Sequence, residues 1–162
     1  ARRRPRRRAV PAGDGRMIRV VVQDGAIDFA TETDRHDAGG HGATASFVGR
    51  VRGDDGVTQL FLEHHPQLTE RGLADLAHAA ADRWRLSALT LIHRVGAMAP
   101  GETIVLVLAS SPHRAEALAA CTFLIDRLKT DVMLWKRETL TDGAARWVEP
   151  RAGDQERAEG WD

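Results

Sequence analysis

The run Thr103-Ile-Val-Leu-Val-Leu-Ala109 carries no charge and no alternation of polar with apolar residues. Such a strand is buried on both faces, so it must lie inside a sheet that is covered above and below. Directly behind it, Ser110-Ser111-Pro112 reads as a helix start, with serine as N-cap and proline in the first turn. Ala117, Leu118, Cys121, Leu124, Ile125 and Leu128 then form one apolar stripe at helical spacing, which carries the helix to about Lys129. A buried strand with its own covering helix demands a layered α/β or α+β architecture.

The other segments fit such layers. Residues 17–22 are rich in β-branched side chains and read as a first strand, and Asp28 is placed to cap a short helix reaching about Asp34. Residues 43–51 and 57–64 read as two strands of a hairpin, separated by the loop Arg52-Gly-Asp-Asp-Gly56. After Pro66, the spacing of Leu68, Leu73, Leu76, Ala80 and Trp84 predicts an amphipathic helix with Thr69 as N-cap. A strand over 88–95 turns into the buried strand through Pro100-Gly101. Residues 132–138 form a further strand with Lys136 and Glu138 on one face, and 146–149 a short one. Hairpins mixed with crossovers exclude a simple doubly wound sheet. The expected organisation is a disordered Arg-rich segment over 1–16, a domain over 17–152 and a polar tail over 153–162.

With 162 residues, 43% hydrophobic and 28% charged, the chain suits one globular domain. No apolar run is long enough to cross a bilayer as a helix, and Cys121 stands alone, which excludes a disulfide framework and points to a reducing cytoplasm. Six arginines fall within residues 1–8, and Met17, immediately before the first strand, reads as a start of translation. A nucleic-acid-binding module with a basic arm is an alternative, but it calls for a cationic stripe with stacking aromatics, and the chain has no Tyr and four Phe. There is no P-loop, no dinucleotide fingerprint and no Cys/His set with zinc spacing, so neither cofactor nor metal is expected.

Only two of the 23 Lys and Arg residues are lysines, Lys129 and Lys136. A guanidinium stays protonated, whereas an ammonium titrates readily when desolvated, so two lysines kept in an arginine-using chain point to chemistry.

Taken in order, several segments resemble one family: Phe47-Val-Gly-Arg-Val-Arg52, Leu62-Glu-His-His-Pro66, Ile92-His-Arg-Val-Gly96 with Pro100-Gly-Glu102, Ser111-Pro-His-Arg114, Leu128-Lys129, Trp135-Lys-Arg-Glu138 and Arg146-Trp-Val-Glu149. They are similar to the large, catalytic subunit of molybdopterin synthase, the MoaE family, over about residues 43–151. The resemblance implies an α/β hammerhead fold with an additional antiparallel β subdomain. It implies a sulfurtransferase of molybdenum cofactor biosynthesis, whose sulfur comes from the thiocarboxylated Gly-Gly C-terminus of a small ubiquitin-like, MoaD-type subunit. Two sulfurs added to cyclic pyranopterin monophosphate would make the dithiolene of molybdopterin. A homodimer at the core of a heterotetramer is implied as well.

Carried over position by position, the implied substrate-binding set is Arg50, Val51, Arg52, His113, Arg114, Lys129, Lys136, Arg137 and Glu138, with Phe47 and Arg151 as looser matches. Lys129 and Lys136 would be catalytic. Both reactants are anionic, and fixed cations in a partly desolvated pocket would offset their repulsion. Lys129 is expected to move the proton, Lys136 to orient and neutralise substrate, and Glu138 to hold Lys136. A non-catalytic scaffold of the same fold is the other alternative; the presence of both lysines speaks against it.

Overall fold

The computed structural model describes residues 10–11, 15–37 and 41–162, so most of the Arg-rich segment expected to be disordered lies outside the described residues. Strands β1 (Val10–Pro11), β2 (Met17–Gln23), β3 (Ala43–Arg50), β4 (Val57–His64), β5 (Ala88–Arg94), β6 (Gly96–Met98), β7 (Thr103–Ser111), β8 (Leu134–Leu140) and β9 (Ala145–Val148) alternate with four helices. These are α1 (Phe29–His36), α2 (Pro66–Arg83), α3 (Arg114–Asp131) and α4 (Ala152–Glu159).

The strands form two sheets. The larger has the order β1-β2-β5-β7-β3, with β2 and β5 parallel and the other pairs antiparallel. The smaller, β6-β4-β8-β9, is wholly antiparallel. A layered α+β domain with an antiparallel subdomain is therefore what the chain forms. The apolar run occupies β7, between β5 and β3, where its residues from Val105 onward are buried.

Alternation along β5 and β7 sends two sets of side chains to opposite faces. Leu89, Leu91, Val105 and Val107 meet α2 and α3 through Leu73, Ala77, Ala80, Ala117, Ala120 and Leu124. Ile92, Leu106 and Leu108 pack on the other face with Val21, Ile27 and Val48. Each fully buried leucine contributes roughly 1.5–3 kcal/mol. On that second face α1 is tied down by a polar network that the sequence did not announce. His36, buried, bonds Thr90 Oγ1 through Nδ1 at 2.9 Å and Ser110 Oγ through Nε2 at 2.7 Å, and Ser110 Oγ meets Thr44 Oγ1 at 2.7 Å.

Three local expectations change. Strands β3 and β4 form no hairpin: β3 pairs with β7 in the large sheet and β4 with β6 and β8 in the small one, the chain crossing between sheets through residues 51–53 and a 3-10 turn at Asp54–Gly56. The long helices start elsewhere. His65, not Thr69, caps α2, and Thr69 is instead buried, donating to Met133 O at 2.8 Å. His113 is the N-cap residue of α3, because Ser110 and Ser111 are still pairing in β7. On α3, Leu118 is exposed and Ala120 and Phe123 take the inward positions. Gly96 has φ +82, a left-handed conformation that glycine adopts without a Cβ penalty, and it bends the chain out of β5 into β6 of the other sheet.

The polar tail expected over 153–162 is folded as α4 and docked on α3. Trp161 stands edge-on to Trp84 and Phe123 at centroid distances of 5.6 and 5.7 Å, and its indole N–H donates to Asp126 at 2.9 Å. Arg83 donates to Trp161 O at 2.6 Å, and Arg127 reaches both Asp131 and Asp162.

Candidate active site

The two lysines come from different elements. Lys129 sits in the last turn of α3, where a cation complements the helix dipole. Lys136 is in β8, opposite Leu62 of β4. Alternation places Lys136 and Glu138 on the β8 face that carries buried Leu60 and Leu62 through their β4 partners, against Val51 and Met98. Arg52 follows Val51, whose N–H and C=O are both fixed by backbone bonds to Glu102 and Gly101. The end of β3, the end of α3 and the middle of β8 thus converge.

Electrostatics record that convergence. The Lys136 ammonium is pushed below its ordinary range, first because neighbouring protein strips water from it, although its residue surface is open, and then by the charges of Lys129 and Arg52. Asp154 and Glu138 oppose that shift without cancelling it. Among the described residues Lys136 makes no direct ion pair. Lys129 does: its Nζ lies 3.1 Å from Asp154 Oδ1, the carboxylate being 8% exposed and the lysine 44%. Asp154 also accepts from the Arg157 guanidinium and, at 3.3 Å, from the Arg151 N–H at the start of α4. Burial alone would raise the Asp154 carboxyl; the hydrogen bond and charge of Lys129, with Arg157 and the Arg151 N–H, bring it below the ordinary carboxylate range.

Other members of the expected set fall differently. Glu138 does not clasp Lys136; its carboxylate bonds Arg146 of β9 at 2.9 Å. Arg137 turns to the opposite face of the small sheet, its guanidinium 5.2 Å from the Phe61 ring centroid and 5.7 Å from that of Trp147. Arg50 is exposed and reaches Gly101 O at 3.3 Å and Thr103 Oγ1 at 3.4 Å, while Phe47 stands 38% exposed on β3. Arg151 supplies its backbone N–H to Asp154, next to Lys129. His113 and Arg114 open α3, at the far end from Lys129. Fifteen helical steps separate Arg114 from Lys129, roughly 22 Å at about 1.5 Å each, so one protomer cannot bring them into one pocket. His113 instead lines a recess with Arg83, Trp84, Arg85 and Glu116.

Two residues near the lysines went unnoticed in the sequence. Asp154 lay within an apparent tail, where Trp161 in a polar stretch was the available sign of docking. His93 is buried in β5 within electrostatic reach of Lys136; desolvation is the main cause that lowers its pKa to about 4, and its ring Nδ1–H donates to Arg94 O at 2.7 Å.

The MoaE protein family model matches residues 22–131 of the chain. The chain belongs to the MoaE family. It is 42% identical over 150 residues to the molybdopterin synthase catalytic subunit of Ralstonia nicotianae, covering 90% of this chain and 85% of that protein. It is 44% identical over 148 residues to that of Pseudomonas aeruginosa, covering 88% of this chain and 98% of the relative. The molybdopterin biosynthesis MoaE protein of Burkholderia ambifaria superposes with a TM-score of 0.76 at 37% identity, over 90% of this chain and 98% of that structure. The hammerhead-plus-subdomain fold implied by the MoaE segments is the fold observed.

Proposed function

We propose that the chain acts as the catalytic subunit of a molybdopterin synthase, transferring sulfur from the thiocarboxylated Gly-Gly C-terminus of a small MoaD-type subunit to cyclic pyranopterin monophosphate. One observation carries this proposal: Arg52 from the segment after β3, Lys129 from α3 and Lys136 from β8 gather where burial and neighbouring charge lower the Lys136 pKa. A thiocarboxylate tail and a cyclic phosphate repel each other, and this cluster offsets the repulsion while burial and the neighbouring cations lower the pKa of one amine.

The division of labour differs from that expected from sequence. Lys136, beside Lys129 and Arg52, is the better proton acceptor when water attacks the thioester that joins the partner's C-terminus to the pterin: the acyl C–S bond breaks, the sulfur stays on the pterin and the water oxygen leaves on the partner as carboxylate. Lys129, paired with Asp154, is the better fixed cation for the thiocarboxylate oxygen or sulfur. Arg52 adds a planar guanidinium suited to the phosphate. His113 and Arg114 serve a pocket of the second copy in a homodimer, since their own Lys129 is a helix length away. Cys121, unpaired and buried, takes no part, and it suits a reducing, cytoplasmic setting. Incubation of the purified protein with thiocarboxylated small subunit and cyclic pterin should yield dithiolene product; no product from authentic partners would overturn the assignment.

A further inference from the structure

Lys129 is held by a helix that follows it in the chain by more than twenty residues. Its Nζ is 3.1 Å from Asp154 Oδ1, and the pair spans 25 residues. Asp154 is one of the few buried charged side chains among the described residues, and every contact around it fixes its direction. Arg157, one turn on, occupies one side of Oδ1, and the Arg151 N–H takes Oδ2. Helix α4 cannot rotate to release the carboxylate without pulling Trp161 off the Trp84–Phe123 ring pair and breaking its bond to Asp126. A carboxylate that had only to terminate a helix would not need to be buried against a lysine of another element.

We infer that Asp154 is a positioning residue for the sulfur-transfer site, orienting the Lys129 ammonium toward the pocket while Lys136 beside it makes no direct carboxylate pair. This builds on the proposed function, and it adds a residue outside the lysine and arginine set. The charged groups facing Lys129 are Asp154 and Arg157 from α4, Lys136 from β8 and, through Lys136, Arg52 and Glu138. Asp154 is the carboxylate in direct contact, so its loss makes an already cationic cluster more so and leaves Lys129 free to swing.

The first test needs no turnover. Wild-type protein, treated at fixed pH with a limiting amine-directed acylating reagent and mapped by mass spectrometry, should label Lys136 before Lys129. In Asp154→Asn, which is isosteric and still accepts from the Arg151 N–H, Lys129 labelling should rise relative to Lys136. Asp154→Glu should restore much of the protection. Turnover of Asp154→Asn should fall roughly 10- to 100-fold, the scale expected for misplacing a reacting group by an ångström, with the loss mainly in kcat. Gln155→Ala, on the exposed side of α4, should behave as wild type. Faster labelling of Lys129 than Lys136 in the wild type would overturn the inference even if no variant folds. So would an Asp154→Asn protein with unchanged labelling and turnover. Altered labelling with no sulfur transfer by the wild type would leave the Asp154 clamp standing and reject the reaction instead.

Discussion

Lys136 and Arg137 are neighbours in β8 and face opposite ways, Lys136 toward Lys129 and Arg52 and Arg137 into the gap between the Phe61 and Trp147 rings. One cation belongs to the pocket and the other to the outer face of the small sheet. Arg137→Leu should therefore leave dithiolene formation within a few-fold of wild type and cost about 0.5–1 kcal/mol of stability, the scale of an exposed cation–π contact. Thermal denaturation with a parallel activity assay measures both.

Replacing each lysine by arginine separates charge from proton transfer. Lys136→Arg keeps the cation and loses the amine that desolvation prepares, so kcat should drop by about 10²- to 10⁴-fold, the usual weight of general acid–base help. Lys129→Arg can still meet Asp154 and should lose distinctly less. The opposite order, measured as single-turnover dithiolene formation, would return proton transfer to Lys129.

Placing His113 and Arg114 a helix length from Lys129 makes a prediction about mixed assemblies. An Arg114→Ala protein and a Lys129→Ala protein, each inactive alone, should recover part of the activity when unfolded together and refolded as mixed dimers. Recovery with no subunit exchange, or none with it, would contradict supply of Arg114 from the second copy.

Acid should unfold the protein in a defined window. His36 and His93 are both buried, and desolvation is the leading cause that lowers each to about 4 from 6.5. Between those values the unfolded chain binds more protons than the folded one, so stability falls as pH drops. The contribution is complete above about pH 6.5 and is lost progressively toward pH 4, by roughly 3 kcal/mol per histidine. His36→Gln, which retains hydrogen bonding to Thr90 and Ser110, should flatten part of this slope in urea titrations at pH 7, 6 and 5.

Strands with dense apolar or β-branched composition were legible in the sequence, and β7 with its covering helix was the clearest, because burial on both faces leaves few places for a strand to go. The crossing from β3 to β4 was not, since a loop of glycine and aspartate looks the same whether it closes a hairpin or carries the chain between sheets. The lysines stood out by composition and the cationic set by resemblance. Which cations share a pocket depended on strand alternation at Arg137 and on the length of α3 at Arg114. Asp154 was hidden because a lone carboxylate in a polar stretch resembles solvated surface until Trp161 is seen to anchor the helix that carries it.

The dependence of Lys129 on Asp154 also has a temporal side. A ribosome adds about 5–20 residues per second, and Asp154 is made 25 residues after Lys129. The Lys129–Asp154 ion pair can therefore form only at the end of synthesis, when α4 is available to dock on α3. Docking of α4 is thus a late event in folding, and it completes the charge pattern around Lys129.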